Sequence, residues 1–195
     1  MISDLVLSGF AFYLYFQHRI LNRNWSFFFL FMGVSALIGG LYHGFDFIGE
    51  EFRFLSWAVL SISLIFAQFA AYKSVDNKAL KWFFVQKAAL FLFFSIFYAS
   101  FTFMIIDMVI SLIGFVILGN IFYLKNMSNL ITYGILISLS SAVFVIFKIN
   151  LDSNFFMAND LGHYVTVISL FVMSRGVRED TLKTIFEREK VKNMV

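Results

Sequence analysis

Two of the three histidines in this 195-residue chain stand among carboxylates. His43 lies in Gly39-Gly40-Leu41-Tyr42-His43-Gly44-Phe45-Asp46, and His163 lies in Asn159-Asp160-Leu161-Gly162-His163-Tyr164. Neutral imidazole and carboxylate are ligands for zinc, whose catalytic sites keep a position open for water. The metal lowers the pKa of that water to about 7 and makes a nucleophile. A spare carboxylate in such a set acts as a general base or orients an imidazole. The other reading is that the two histidines bond to acids on neighbouring helices and fix a bundle. His18, beside Arg19, reads as an interfacial residue whose polar end reaches water. The chain has no cysteine, so disulfides, thiolate metal sites and cysteine nucleophiles are excluded.

The elements that must hold these residues are membrane helices. Apolar residues make up 61% of the chain and charged ones 14%, against about 45–50% and about 25% in soluble domains. A span needs about 20 mostly apolar residues. Seven such runs are present, near 4–21, 26–48, 53–73, 82–99, 103–124, 129–149 and 160–175. Their continuous apolarity favours helices over barrel strands, which alternate. The expected fold is an all-α, polytopic seven-helix bundle over 1–175 with a charged cytoplasmic tail over 176–195. Residues 82–124 would make one helix about 64 Å long, roughly twice the hydrocarbon thickness. The segment must therefore turn, and Tyr98-Ala99-Ser100-Phe101-Thr102 is the place for it. The N-terminal run has no basic region before it and carries Asp4, so it reads as the first span rather than a cleaved signal.

Charge orients the bundle. With the N-terminus outside, 12 of the 15 basic residues fall on the cytoplasmic side, Arg53 and Lys148 outside, and Lys87 within a span. Cytoplasmic loops carry the excess of Lys and Arg. The expected location is the bacterial inner membrane, N-terminus out and C-terminus in. His43 and His163 then fall at one depth near the outer surface, with Asp46, Asp160, Asn159 and Asp107. Ser35, Gly39, His43 and Asp46 share one face of helix 2, and Asn159, Asp160, His163 and Thr166 one face of helix 7. Gly40 and Gly44 form a GxxxG, a spacing that admits a neighbouring backbone. Lys87 reads as a residue that snorkels. Leu182, Ile185 and Phe186 stand at helical spacing in the tail.

These motifs resemble those of the alkaline ceramidase and progestin/adipoQ receptor superfamily of seven-helix membrane hydrolases. That pattern places a Ser and a His on helix 2, an Asp near the start of helix 3 and a His-x-x-x-His on helix 7, with zinc on the three histidines. His43 matches the helix-2 histidine and His163 the second of the helix-7 pair. Asn159 stands at the first position of that pair, and Ser35 lies two turns before His43 with Gly39 between. The wording of the two motifs is more similar still to a group of small bacterial membrane proteins. The resemblance implies a zinc-dependent hydrolase acting on a lipid amide or ester. Zinc would sit on His43, His163 and one of Asp160, Asp46 or Asp107. Ser35 or Asn159 would bond the oxyanion, and Asp46, Glu50 and Glu51 are the available stand-ins for the acid.

Three other classes compete. A haem could use His43 and His163 as axial ligands. The acidic outer mouth could bind or transport a ligand, although no repeat symmetry and no proline-broken helix is present. A structural subunit needs no site at all. Retinal is disfavoured, because Leu161–Ser174 carries no lysine for a Schiff base. The partners expected are membrane lipids, with no nucleic acid, since the basic residues form no stripe.

Overall fold

The computed structural model describes residues 2–45, 47–124, 127–147, 149 and 157–192. Among them the chain is helical, with seven helices and no strand. They are α1 (Ile2–His18), α2 (Arg23–Gly44), α3 (Glu50–Ala71), α4 (Lys78–Phe97), α5 (beginning at Thr102–Val109), α6 (Asn129–Ile146) and α7 (Ala158–Lys192). Four segments are long and apolar enough to cross a membrane: Arg23–Gly44, Glu50–Ala71, Lys78–Phe97 and Thr102–Phe122. Large apolar side chains face outward on most helices, among them Tyr13, Phe93, Phe122, Tyr133, Ile168 and Phe171, each at least half exposed. Soluble monomers rarely expose apolar surface on that scale. An integral membrane protein has the lipid to cover it.

The helix ends follow from local chemistry. Asn22 caps α2 by accepting from the Trp25 amide at 3.4 Å, and Asn77 caps α4 by accepting from the Leu80 amide at 3.0 Å. The expected turn between α4 and α5 falls where the length argument put it. Ala99 adopts φ 47°, and the Ser100 amide donates to the Ser95 carbonyl at 2.9 Å. This is the left-handed closure that usually takes glycine. Beyond Val109, α5 widens into π-helical turns over Ile110–Ile117 and Asn120–Leu124. Such turns concentrate at functional sites.

α1 lies against α2 and α7, α2 against α3, α6 against α7, and the widened part of α5 touches both α3 and α6. These helices close a ring, and α4 packs on α3 and α5. The ring is filled by Leu14, Phe28, Phe29, Leu64, Val116, Ile135, Leu170 and Met173, all nearly inaccessible. Between membrane helices this packing acts through van der Waals contact, which rewards small residues at crossings. The closest crossing is α6 on α7. A Cβ on Gly134 would meet the Met173 amide nitrogen and the Ser169 carbonyl oxygen at 2.9 Å, and one on Gly176 would meet the Ile131 amide nitrogen at 2.8 Å. α7 continues through Gly176 as one helix, so the charged tail extends the last helix directly.

Candidate functional site

Six helices, α1, α2, α3, α5, α6 and α7, surround a cavity of about 430 Å³ at the end of the bundle where α1 begins. His43 and His163 both line it, joined by Asp4, Arg53, Ser35 and Asn159. The apolar part of the wall comes from residues such as Met32, Trp57 and Leu60. A mostly apolar wall with a few convergent polar groups is the usual make-up of a ligand site.

His163 is held by the start of α1. The Ser3 hydroxyl lies 3.0 Å from its Nδ1, and an Asp4 carboxylate oxygen lies 3.5 Å from the same nitrogen. Ser3 also donates to the Asp160 carboxylate. Ser3 and Asp4 are both buried. With Nδ1 occupied, Nε2 is the ring nitrogen left for a ligand, and the pairing fixes tautomer and ring orientation. Asp4 and Ser3 were missed as site residues in the sequence. Asp4 serves there only to mark the first run as a span, although Asp4, Leu7, Ser8 and Ala11 recur at helical spacing and are all buried.

The other expected site residues divide. Ser35 faces the cavity, but its hydroxyl donates to the Ser56 carbonyl at 2.9 Å while the Ser56 hydroxyl donates to the Ser35 carbonyl at 3.0 Å. This reciprocal pair ties α2 to α3. Asn159 lines the cavity and is exposed. Asp160 is engaged by Ser3. Asp46 lies outside the described residues. At the rim, Tyr42 donates to Glu50 at 2.8 Å and Glu50 pairs with Arg53 at 2.6 Å. The Arg53 guanidinium also stacks over Trp57, 5.2 Å from the ring centre.

Three expectations are corrected. Asp107 does not join the histidines. It forms a buried ion pair with Lys87, and the Lys87 ammonium also donates to Ser111 at 2.6 Å. Depth alone put Asp107 near the outer set, whereas the face it occupies on α5 turns toward α4. Lys87 therefore does not snorkel, because a buried counter-charge satisfies it. His18 is buried rather than interfacial, with Nε2 2.8 Å from the Ser174 hydroxyl and its ring against Phe29.

The donor set bears on zinc. Among the described residues no three His, Cys, Asp or Glu side chains converge as a metal site would need. Two imidazoles share the cavity, but the described carboxylates are engaged elsewhere: Asp4 beside Nδ1 of His163 and Asp160 by Ser3. The described residues thus fall short of the three-ligand centre that the superfamily resemblance implies.

The architecture is that of an all-helical, membrane-type bundle with a polar-floored cavity at one end. The chain belongs to the family described as a family of unknown function, DUF6962, whose pattern matches residues 1–181. The match therefore takes in every cavity-lining residue named above. No curated protein and no solved structure matches the chain.

Proposed function

We propose that the chain is a seven-span protein of the bacterial inner membrane, N-terminus out, whose cavity takes an amphipathic lipid-derived molecule and hydrolyses its acyl amide or ester bond. The observation that carries this reading is the clamped imidazole of His163. A histidine facing a cavity, with a carboxylate and a hydroxyl on its far nitrogen, has the arrangement of a general base. Water bound at Nε2 would give its proton to His163 as its oxygen adds to the acyl carbon. The proton then passes to the departing amine or alcohol, and the products are a fatty acid and that leaving group. Arg53 and Asn159 are the cavity donors available to the developing oxyanion. The apolar wall suits the acyl chain.

No step in this scheme runs through a metal. A zinc-dependent version on His43 and His163 would need a third donor, and Asp46 is the residue whose position in the sequence offers one. Metal content separates the two chemistries: about one zinc per chain, lost in both His43→Ala and His163→Ala, is the signature of the metal version.

A second reading, binding without hydrolysis, is favoured by the Ser35–Ser56 pair. That pair removes Ser35, one of the two oxyanion donors expected from the sequence, from service. The test uses the full chain in nanodiscs with fluorescent acyl amides and acyl esters. Hydrolysis predicts released fatty acid, reduced by about 10²–10⁴ in His163→Ala. Saturable binding without release in the wild type selects the second reading. Neither binding nor release disposes of both.

A further inference from the structure

The groove between α3, α4 and α5 lies away from the histidine cavity and carries a second set of polar residues. Seven buried side-chain atoms among the described residues have no hydrogen-bond partner. Four of the seven belong to this seam: Nε2 and Oε1 of Gln68, Oγ of Ser95 and Oδ2 of Asp107. The other three, on His18, Arg53 and Asp180, stand near helix or bundle ends. Buried polar groups are nearly always paired with protein or with ordered water. Four unpaired atoms in one seam mark a place for internal water, which needs polar partners of this kind.

Register lines up Gln68 and Asp107 along the seam. The Ser61 hydroxyl of α3 meets Met104 Sδ of α5 at 3.5 Å, which sets the two helices against each other. Seven residues further along each helix, on the same faces, come Gln68 and Ser111, both inaccessible to solvent. Asp107 lies between Met104 and Ser111 on α5, and the Ser111 hydroxyl donates to it at 3.2 Å. One turn past Gln68, Tyr72 brings its hydroxyl against Gly119, beside buried Asn120. In the other direction, Trp57 and Phe101 of the cavity wall lie one turn beyond Ser61 and Met104. Polar or hydroxyl-bearing groups thus recur from below the cavity through the Lys87–Asp107 pair toward the α3–α4 loop end, where the buried Phe84 ring packs on Phe69, Tyr72 and Phe115 beside them. The π-helical turns of α5 begin three residues after Asp107 and accompany the seam.

We infer that this seam conducts protons across the bundle, with Lys87 and Asp107 as the exchanging pair and water filling the seam on both sides. An excess proton carried by water adds to the Asp107 carboxylate and makes it neutral. The Lys87 ammonium, left without a counter-charge, gives a proton to water on the other side. The carboxyl then passes its proton to the Lys87 amine, which restores the ion pair. One proton enters and one leaves, with no oxidant or reductant. Ionisable residues inside spans commonly mark such relays.

The test is proton flux into liposomes carrying the full chain, loaded with the pH dye pyranine and driven by a valinomycin-imposed potassium potential. The wild type should acidify the lumen several-fold faster than empty liposomes. Asp107→Asn should return the rate to that of empty liposomes. Gln68→Leu leaves the ion pair intact, so it keeps the test decisive if the Asp107 variant does not fold, and it should slow the flux as well. A wild-type rate equal to that of empty liposomes, or a Gln68→Leu rate equal to the wild type, would make the pair a clasp between α4 and α5 and overturn the inference.

Discussion

Asp4 and His163 stand nearly a whole chain apart in sequence, and their contact is the most specific chemical feature of the cavity. A carboxylate at Nδ1 holds an imidazole in one tautomer and stabilises the charge that appears when Nε2 takes a proton. Asp4→Asn keeps the shape and removes that charge. Under the hydrolytic reading it should slow turnover by up to about 10⁴-fold, the loss seen when the carboxylate behind a catalytic histidine becomes an amide, and leave ligand affinity close to wild type. Turnover and binding measured on the same nanodisc preparation check this. Equal turnover in Asp4→Asn and wild type would reduce Asp4 to a packing role. The sequence showed His43 and His163 at one depth, because counting spans and placing charges needs no three-dimensional information. It does not show Asp4, because a lone charge in the first turn of α1 says nothing of the face it occupies. Asp107 was misplaced for the complementary reason. Its depth was legible, but its partner Lys87 becomes visible only when opposite charges on successive helices are compared at matching depth.

At the scale of the element, two glycines on different helices separate propensity from packing. Gly9 in α1 has nothing within 4 Å of where a Cβ would stand. Gly9→Ala should therefore stabilise the protein by about 0.5–1 kcal/mol, the ordinary helix preference of alanine. Gly134→Ala should destabilise it by about 1–3 kcal/mol, since the added methyl meets backbone atoms of α7 that cannot rotate away. Thermal unfolding in one detergent should move the midpoints in opposite directions. A different balance holds at the far end of α6. There the Ser128 amide donates to Asp180 at 3.0 Å and the Ser128 hydroxyl to Glu179 at 2.8 Å, so the extension of α7 grips the start of α6. Burial raises the Asp180 pKa above its ordinary value, only partly opposed by the Ser128 amide and Lys183. A raised folded-state pKa means that the folded chain holds this proton more tightly than the unfolded chain. Its contribution is thus present at low pH and is lost as pH rises through the folded value. Asp180→Asn keeps an acceptor for the Ser128 amide without the charge. It should raise the unfolding midpoint at pH 7, with the difference from wild type shrinking toward pH 4. A difference that grows on acidification would contradict the sign. The helical spacing in the tail is legible in the sequence, but its grip on Ser128 is not, because that contact joins residues about fifty positions apart.

For the whole molecule, the ring of helices and the outward apolar surface define a bundle with two chemically distinct ends, and the orientation proposed for it rests on charge. The helix count and the α4–α5 turn were legible because length and hydrophobic thickness constrain them jointly. The π-helical widening of α5 was not, since its residues are as apolar as those of any ordinary span. Orientation can be tested directly because the native chain has no cysteine. A single cysteine at Phe47, which is 84% exposed between α2 and α3, should react with a membrane-impermeant maleimide on intact spheroplasts. A cysteine at Asp76, whose side chain is 93% exposed between α3 and α4, should react only after lysis, as should one at Lys190 on the α7 extension. The loops differ by one span, so seven crossings require Phe47 to lie opposite both Asp76 and Lys190. Labelling of Asp76 and Lys190 from opposite sides would mean an odd number of crossings between α3 and the tail, for example if α6 or α7 lies along the surface. Labelling of Phe47 only after lysis would invert the bundle and place the His163 cavity on the cytoplasmic face, within reach of inner-leaflet lipids instead of outer ones.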